Sequence, residues 1–477
     1  MSTQDAATTP SPAPTPAPKG ENWFNDDWMA VWLGGLILVL AFFGSFKFST
    51  FKKGEPDKDG KTPIVVSNGL KSYVGKTGDW KSNPVDGFSK TDKKTQKVTS
   101  LAPGVLGSCA FLFVIFTLAA IVRGQPLSKF VPGFVAMLLL ALLAYLLSGQ
   151  EVIKYYNLEY VLWALLVGLI ISNTIGTPAW IKPAANGEFY IKTGLVLLGA
   201  EVLFGELIKL GPRGILVSWV ATPIVLITTF IFGQRILRMK SPSLNMVISA
   251  DMSVCGVSAA IATGAACRAK KEELTTAISL SLAFTVVMMI LQPQFIKWSG
   301  MNENVGAAWI GGTIDSTGAV VAAGSLLGDE AEKIAVTIKM IQNILIGVVS
   351  LAVAIYWVSY VDRAPGAPAV GVGEIWRRFP RFILGFAAAS LLFSIVASFD
   401  DFHAALVGSM IKDITKDLRG WLFCLAFVSI GLETNFFELA PYFANWKTVT
   451  LYVVGQAFNL LVSFTLAYIA FGLYPMT

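Results

Sequence analysis

Thirteen apolar runs restrict the fold of this chain more than any other sequence feature. They lie at residues 28–46, 104–122, 130–147, 158–172, 190–205, 214–233, 244–267, 274–292, 304–327, 335–358, 382–399, 419–433 and 447–472. Most approach the roughly 20 residues that an α-helix needs to cross a bilayer, where the backbone must satisfy its own hydrogen bonds. The chain is 54% hydrophobic and only 14% charged, which is not the composition of a soluble globular protein. We predict an all-α polytopic membrane protein with about 11–13 membrane segments.

The polar stretches divide the chain into four predicted parts. Residues 1–27 are rich in proline, alanine and threonine, which predicts a disordered N-terminal tail. Residues 28–46 predict an accessory transmembrane helix that stands apart from the rest. Residues 47–103 contain twelve lysines and six acidic residues, which predicts an extramembrane loop that is either simply solvated or a docking surface for anionic lipid or another subunit. Residues 104–477 then form the core.

One apolar run contains a carboxylate near its middle. Asp251 stands in the run 244–267, and a carboxylate at the bilayer centre costs roughly 2.5–3.5 kcal/mol on insertion scales. The side chain should therefore face protein, water or a partner. Ser253 and Gly256 follow it and weaken a continuous helix. The pattern predicts a membrane helix broken at its middle, which is tolerated where the freed backbone groups are buried in protein or line a cavity.

A second run repeats this arrangement. In the run 304–327, Asp315 and two hydroxyl residues directly precede a stretch of small residues, which predicts another broken helix. The segments 195–201 and 427–433 also resemble each other weakly, and each precedes a long apolar run. Paired broken helices and internal duplication are typical of transporters built from inverted repeats. We therefore predict an inverted-repeat transporter core in which Asp251 and Asp315 share one site near mid-membrane.

The candidate substrate- or ion-binding residues lie at the two breaks and on the following run. They are Asp251, Ser253, Cys255, Gly256, Asp315, Ser316, Thr317, Gly318, Lys339 and Asn343. The half-helix amides would receive an anion, and the two aspartates could hold a proton or a sodium ion. Alternatively, the aspartates and hydroxyls only cap the half-helices, and Lys339 forms a structural salt bridge to one aspartate. Glu201 and Glu433 lie near the ends of runs, where they could snorkel or cap.

The numbers of histidine, cysteine and charged residues argue against several classes of function. A single histidine and four cysteines without paired spacing predict neither a histidine-based metal cluster nor a catalytic triad, so we expect no enzyme activity and no cofactor. The net charge of +6 is spread over loops between apolar runs, which favours membrane topology over nucleic-acid binding. The expected partners are the lipid bilayer and a small ion, and the chain could form a homodimer.

Several short motifs resemble one known family. They are Gly168-Leu169-Ile170-Ile171-Ser172-Asn173, Gly194-Leu195-Val196-Leu197-Leu198-Gly199, Ser253-Val254-Cys255-Gly256, Val320-Val321-Ala322-Ala323-Gly324, Lys339-Met340 and Gly431-Leu432. Because these motifs occur in this order and spacing, the chain resembles the YeiH-like sulfate exporters across about residues 104–477. The resemblance implies a fold related to bile-acid symporters and sodium-proton antiporters. This sequence departs from the family pattern at Asp251, at Asp315 to Thr317 and at Gln342.

These observations predict a secondary active transporter in the inner membrane of a bacterial cell. Alternating access would move a small inorganic or organic anion, for which the family resemblance implies sulfate or a similar ion. Proton or sodium coupling would use the aspartates. Two membrane aspartates and no arginine inside the membrane segments suit a cation antiporter as well, so that alternative stays open. From a different class, an ion channel could use the same breaks as a filter.

Overall fold

The computed structural model describes residues 25–53, 64–91, 98–155, 160–201, 204–361, 380–440 and 445–473. The predicted tail, residues 1–27, lies outside this range except for its last three residues. Of those three, Asp26 and Asp27 already belong to the first helix, whose amide at Trp28 is capped by Asn25. The first membrane helix therefore begins two residues earlier than the apolar run because acidic residues are favourable in a first helical turn.

Helices make up almost all of the described chain. The helices are α1 Asp26–Phe48, α2 Ala102–Val122, α3 Leu127–Ser148, α4 Glu151–Tyr155, α5 Tyr160–Thr174, α6 Gly187–Glu201, α7 Phe204–Ile215, α8 Ala221–Ile231, α9 Pro242–Asp251, α10 Val257–Ala266, α11 Lys271–Ser299, α12 Glu303–Thr313, α13 Thr317–Ser325, α14 Asp329–Asn343, α15 Leu345–Tyr356, α16 Arg381–Ser398, α17 Asp401–Met410, α18 Lys416–Glu433, α19 Phe436–Leu439 and α20 Trp446–Ala467. Four short strands are β1 Ser49–Lys53, β2 Ile64–Asn68, β3 Ser89–Thr91 and β4 Val98–Ser100. The strands all lie in the polar segment between α1 and α2.

Each of the thirteen apolar runs contains a helix or a pair of half-helices. Among the described residues, eight helical stretches are long and apolar enough to cross a membrane. They are Asp26–Phe48, Ala102–Val122, Leu127–Ser148, Leu210–Ile236, Glu272–Ser299, Asp329–Tyr356, Arg381–Ser398 and Trp446–Leu473. The predicted all-α polytopic class is therefore confirmed. The inverted repeat stays a prediction.

Helix α18 continues a helical stretch that begins well before its apolar run. Helix α17 leads into α18 through a π-helical turn, Ile411–Thr415, so that residues 401–433 are helical throughout. The apolar pattern predicted only residues 419–433. Asp413 is nevertheless buried, and its Oδ1 atom forms an ion pair with Lys71 Nζ at 2.7 Å. Charged residues lower the hydropathy of this stretch even where they are paired and buried. The apolar pattern therefore did not include it.

Helix α1 is packed into the helix bundle. A Cβ atom on its Gly34 would lie 2.6 Å from the Val196 Cβ, so α1 and α6 are in direct contact. At its start, Asp26 forms an ion pair with Arg123, and Asp27 pairs with Lys192 at 2.5 Å. The expectation that this helix stands apart is wrong in geometry, because its small residues pack against α6 and its acidic first turn pairs with Lys192 of α6 and with Arg123 at the end of α2. An accessory role in transport stays a prediction.

The polar segment 47–103 carries small sheets and docks on the core. Strands β1 and β2 form one antiparallel hairpin, and β3 and β4 form another. We call the described residues 49–53, 64–91 and 98–100 the docked module. Its Trp80 donates from Nε1 to the Leu146 carbonyl at 2.6 Å, and Trp421 of α18 donates to the Gly75 carbonyl at 2.9 Å. The described part of this segment is thus a folded module, and the sequence did not predict its strands or its contacts.

Two glycines let α5 and α18 cross in contact. A Cβ atom on Gly168 would lie 2.5 Å from the Val428 carbonyl oxygen, and one on Gly431 would lie 2.4 Å from that of Leu165. Beyond the crossing, Asn173 donates to the Thr434 carbonyl at 3.0 Å and accepts from the Phe436 amide at 2.7 Å. Small residues at crossings are the usual means of close helix packing in membranes. Asn173 therefore caps a neighbouring helix end as well as its own.

Candidate functional site

The two predicted helix breaks are present, and they touch each other. Helix α9 ends at Asp251 and α10 begins at Val257, while α12 ends at Thr313 and α13 begins at Thr317. Gly256 has a φ of +57°, and a Cβ atom there would lie 2.9 Å from the Asp315 carbonyl oxygen. The first break thus fits directly against the second. The N-termini of α10 and α13 start from this contact, which places Asp251 and Asp315 in one buried polar cluster.

Asp315 does not cap its half-helix. Its carboxylate accepts a hydrogen bond from the Tyr452 hydroxyl of α20, and the residue is only 1% exposed. Ser316 is the N-cap residue of α13, yet its side chain makes no capping hydrogen bond. The alternative in which these residues serve only as caps is therefore wrong for Asp315 and Ser316. Their oxygens are held by tertiary contacts or remain available to a ligand.

Asp251 is buried without a hydrogen-bond partner. Its side chain is completely shielded from solvent, and neither carboxylate oxygen has a partner within the described part of the chain. The Ser281 hydroxyl is near but outside hydrogen-bonding geometry. Asp251 is also the last residue of α9, which is the wrong end for N-capping. A buried unpaired carboxylate is unfavourable unless a proton, a cation or a water molecule satisfies it.

Lys339 is buried in the same cluster but pairs with a backbone oxygen. Its ammonium donates to the Val254 carbonyl at 2.6 Å and to Gln342 Oε1 at 2.7 Å. No carboxylate oxygen of the described residues lies within the 4.0 Å that defines an ion pair. The predicted salt bridge from Lys339 to an aspartate is therefore wrong. The carbonyl groups freed by the break compete for the ammonium and are closer.

Side chains of α14 and α20 satisfy the backbone carbonyls at both breaks. Gln342 donates from Nε2 to the Ser253 carbonyl at 3.1 Å and to the Gly312 carbonyl at 3.4 Å. From α20, Gln456 donates to the Thr313 carbonyl at 2.8 Å, and Asn459 donates to that of Met252 at 3.0 Å. These bonds replace the helical hydrogen bonds that the breaks remove, as a membrane interior requires.

The polar face of α20 was missed by the sequence reasoning. Tyr452, Gln456, Asn459 and Ser463 follow at spacings of four, three and four, so they share one helix face. Ser463 donates to the Gly312 carbonyl at 3.4 Å, which completes the row of contacts to the breaks. The signal in the sequence was this polar stripe inside an otherwise apolar run. It could have been found by asking which long run carries uncharged polar residues at helical spacing.

The remaining predicted site residues differ in their burial and in their contacts. Ser316 and Thr317 are half-buried, and the Thr317 hydroxyl accepts from Asn343 Nδ2 at 3.0 Å. Gly318 faces α6, where an added Cβ atom would lie 2.1 Å from Ile191 Cδ1. Cys255 is buried, and the Ser253 hydroxyl, which lies in the break, donates to the Ala250 carbonyl of α9. Ser316 and Thr317, at the N-terminus of α13, are therefore the partly accessible members of the predicted set.

Formal charges in the cluster do not cancel. Asp251, Asp315 and Lys339 are each at most 1% exposed, so two potential negative charges face one positive charge. One added proton or monovalent cation would balance them. Carboxylates and backbone carbonyls are suitable ligands for such a cation. Among the described residues, no group of three or more histidine, cysteine or acidic side chains is arranged to hold a metal ion.

A second buried ionic cluster lies away from the breaks. Arg419 of α18 pairs with Glu201 through Nε at 2.8 Å and also with Glu332 of α14. All three side chains are shielded from solvent. The inference that no arginine lies inside the membrane segments is wrong, and so is a snorkelling or capping role for Glu201. The three partners come from distant parts of the sequence, so no local pattern revealed them.

Gly256 gives a direct test of the contact between the breaks. Gly256→Ala is expected to destabilise the protein by about 1–3 kcal/mol because of its positive φ, and to impair transport because the methyl group would displace the Asp315 backbone. Gly124→Ala is the matched control, since Gly124 has a φ of +67° with no atoms near an added Cβ. Thermal unfolding and proteoliposome transport are measured for both variants. Equal transport by the two variants would contradict the proposed importance of this contact.

Comparison with known proteins places the chain among bacterial membrane proteins. Residues 132–450 match the family described as Conserved hypothetical protein 698. A UPF0324 membrane protein of Rhodopirellula baltica is 47% identical over 96% of this chain and 92% of its own length. One from Nitratidesulfovibrio vulgaris is 52% identical over 83% of this chain and 69% of its own length. The UPF0324 membrane protein TauZ of Paracoccus denitrificans is 27% identical over 68% of this chain and 95% of its own length. No solved structure matches the chain.

Proposed function

We propose that this chain, which belongs to the YeiH-like family of UPF0324 membrane proteins, is a secondary active transporter of a small anion. The observation that carries the proposal is the contact between two broken helices inside the helix bundle, with the N-termini of α10 and α13 beginning there. Free amides and the helix dipole attract negative charge at such ends. Transporters with discontinuous helices bind substrates in this way.

The charges of the cluster support coupling to a cation. With both aspartates ionised and Lys339 charged, the buried cluster carries one excess negative charge, which opposes the entry of an anion. A proton or sodium ion at Asp251 would remove that excess and satisfy the carboxylate that has no partner. The anion would then meet the α13 amides and the half-buried Ser316 and Thr317. Cation binding and anion binding would thus favour each other, which is the requirement for coupled transport of both ions in the same direction.

Sulfate or a sulfonate-like ion is the proposed substrate class, and the bacterial inner membrane is the proposed location. The substrate rests on the resemblance to the YeiH-like exporters. The half-helix amides fit any small oxyanion, because backbone amides bind oxygen lone pairs without selecting the central atom.

A cation antiporter is the second candidate. The specific observation in its favour is Asp251, which is completely buried and lacks a hydrogen-bond partner among the described residues. A second carboxylate, Asp315, is in the same cluster. In this alternative, sodium and protons compete for the two aspartates, and the α13 amides serve only to hold the break open.

Counterflow in proteoliposomes distinguishes the candidates. Vesicles loaded with unlabelled sulfate are expected to accumulate labelled sulfate transiently and saturably, because a carrier exchanges substrate through alternating states. The control vesicles contain chloride at equal ionic strength. Sodium-proton exchange without sulfate counterflow would instead support the antiporter. Unitary currents in a planar bilayer would indicate a channel and contradict both carriers.

A further inference from the structure

The two ends of the first broken run lie side by side. The Cys267 Sγ atom, just after α10, is 3.9 Å from the carbonyl oxygen of Ser243, in the first turn of α9. A Cβ atom on Gly264 would lie 3.7 Å from Val247 Cγ2. A helix that continued in one direction would separate residues 243 and 267 by about 36 Å, because each residue adds about 1.5 Å. The chain therefore turns back at the break, and α9 and α10 are antiparallel.

The turn of this first hairpin lies about half a membrane away from its base. At the base, the hydroxyls of Ser241 and Ser243 both donate to the carboxylate of Glu273, in the first turn of α11. Each arm has ten residues. Ten helical residues extend about 15 Å, which is half of the roughly 30 Å hydrocarbon core of a bilayer. The turn at residues 252–256 would thus reach the middle of the membrane.

The second broken run also turns back, against α14. A Cβ atom on Gly311 of α12 would lie 2.5 Å from the Ala335 carbonyl oxygen, and one on Gly324 of α13 would lie 3.3 Å from Ala335 Cβ. Gly311 and Gly324 are thirteen residues apart in the sequence. A helix that continued in one direction would separate them by about 20 Å, so both could not touch one alanine. Helices α12 and α13 therefore lie along the same part of α14.

The two hairpins pack on opposite halves of one long helix. Residues Asp329–Tyr356 form a helical stretch of 28 residues, which is long enough to cross a membrane. Its first half, residues 331–340, shares a hydrophobic core with α12 and α13. Its second half, residues 345–353, belongs to a separate core with α9 and α10. Because the ends of a spanning helix lie on opposite faces of the membrane, the hairpins approach from opposite faces.

Both turns meet near the middle of this long helix. Lys339 donates to the Val254 carbonyl of the first turn at 2.6 Å. Asn343 donates to the Thr317 hydroxyl of the second at 3.0 Å. The arms then lead away from this point. For example, a Cβ atom on Gly324 would lie 2.9 Å from the Cα atom of Glu332, in the first turn of α14.

We propose that residues 242–266 and 303–325 are two re-entrant hairpins, inserted from opposite faces of the membrane with their turns in contact. Neither hairpin crosses the membrane, so each begins and ends on one face. Irregular backbone at membrane depth is tolerated where protein buries it. Residues 245–251 of the first hairpin and 318–325 of the second are all buried. The arrangement is independent of which ion the protein carries.

This topology assigns the docked module to one face. Lys416 of α18 pairs with Asp329, at the base of the second hairpin, at 2.5 Å. One helical turn earlier, Asp413 pairs with Lys71 of the module at 2.7 Å. The module therefore lies beside the base of the second hairpin. The first hairpin, which carries Asp251 at its turn, leads to the opposite face.

Cysteine labelling from one face of the membrane tests the two hairpins. Single cysteines replace Lys240 or Lys270 at the base of the first hairpin, and Glu303 or Glu330 at the base of the second; all four positions are exposed. Sealed right-side-out vesicles that contain the full-length variants are treated with a membrane-impermeant maleimide before and after detergent. We expect one pair to react before detergent and the other pair only after it. Wild type is the control for the native thiols.

The pattern of reactivity decides between hairpins and crossing helices. Reaction of Lys240→Cys and Lys270→Cys from opposite faces would overturn the first hairpin, and the same result for Glu303→Cys and Glu330→Cys would overturn the second. Reaction of all four from one face would overturn insertion from opposite faces. Lys81→Cys, in an exposed part of the module, should react together with the second pair. Labelling requires no transport, so its result stands whether or not counterflow is observed.

Discussion

Asp315→Asn is expected to lower gradient-driven anion uptake at least tenfold and to remove its dependence on pH or sodium. Asparagine has nearly the same shape and can still accept the hydrogen bond from Tyr452. It carries no charge and cannot bind and release a proton. Loss of a charged partner in a buried network typically corresponds to a factor of about 10–100 in an equilibrium constant. The coupling cation would therefore bind poorly, and its gradient should no longer drive uptake of the anion.

Ser316→Ala is the matched control for this experiment. Ser316 follows Asp315 directly and is the N-cap residue of α13, but its side chain makes no capping hydrogen bond. Its removal would cost the anion at most one neutral hydrogen bond, worth about 1 kcal/mol, so uptake should fall by roughly fivefold or less and keep its dependence on pH or sodium. Counterflow and gradient-driven uptake are measured for both variants across pH and sodium concentration. Identical profiles for Asp315→Asn and wild type would remove Asp315 from the coupling mechanism.

Arg419→Met is expected to cause the largest loss of stability among single substitutions in the membrane segments. It leaves Glu201 and Glu332 buried without their cationic partner, and breaking a buried pair from one side costs about 3–5 kcal/mol. The midpoint of thermal unfolding in detergent should fall accordingly. Lys416→Met is the control: its pair with Asp329 is solvent-exposed on both sides, so at most about 1 kcal/mol is expected.

Neutralising the stranded carboxylates should restore stability. The triple variant Arg419→Met with Glu201→Gln and Glu332→Gln removes all three charges, and replacing a whole buried ionic cluster is often nearly neutral. If the triple variant regains most of the decrease in the unfolding temperature, the unpaired charges caused the defect, and not the missing arginine stem. If Arg419→Met unfolds at the same temperature as Lys416→Met, the buried cluster contributes nothing to stability.

The membrane segments and the helix breaks could be predicted because their signals are local. Each apolar run is long enough to require a helix in lipid, whatever its neighbours are. The breaks at Asp251 and Asp315 were equally readable, since a carboxylate followed by hydroxyl residues and glycine disfavours a continuous apolar helix. The sequence thus indicated where the buried polar cluster begins.

What could not be predicted depends on partners that are distant in sequence. Arg419 lies in an otherwise apolar run, but its pairing with Glu201 and Glu332 joins residues separated by more than eighty positions. One alternative paired Lys339 with an aspartate because opposite charges attract, yet its ammonium donates to a backbone carbonyl of the break at 2.6 Å. The helical residues 401–418 were missed because they carry several charged side chains, of which Asp413 and Lys416 are paired within the protein. Hydropathy alone cannot distinguish a paired charge from a hydrated one.

The two hydrogen bonds of Gln342 have a mechanical consequence. Its amide group joins the Ser253 carbonyl to the Gly312 carbonyl, so a single side chain braces both interrupted helices against α14. Any displacement that keeps these bonds must carry both breaks and α14 together as a rigid block. The opposite boundary of α13 is different, because the atoms of α6 nearest to Gly318 belong to the apolar side chain of Ile191. Apolar contacts can slide without losing hydrogen bonds, so we expect any sliding of this block relative to α6 to occur along the boundary between α13 and α6.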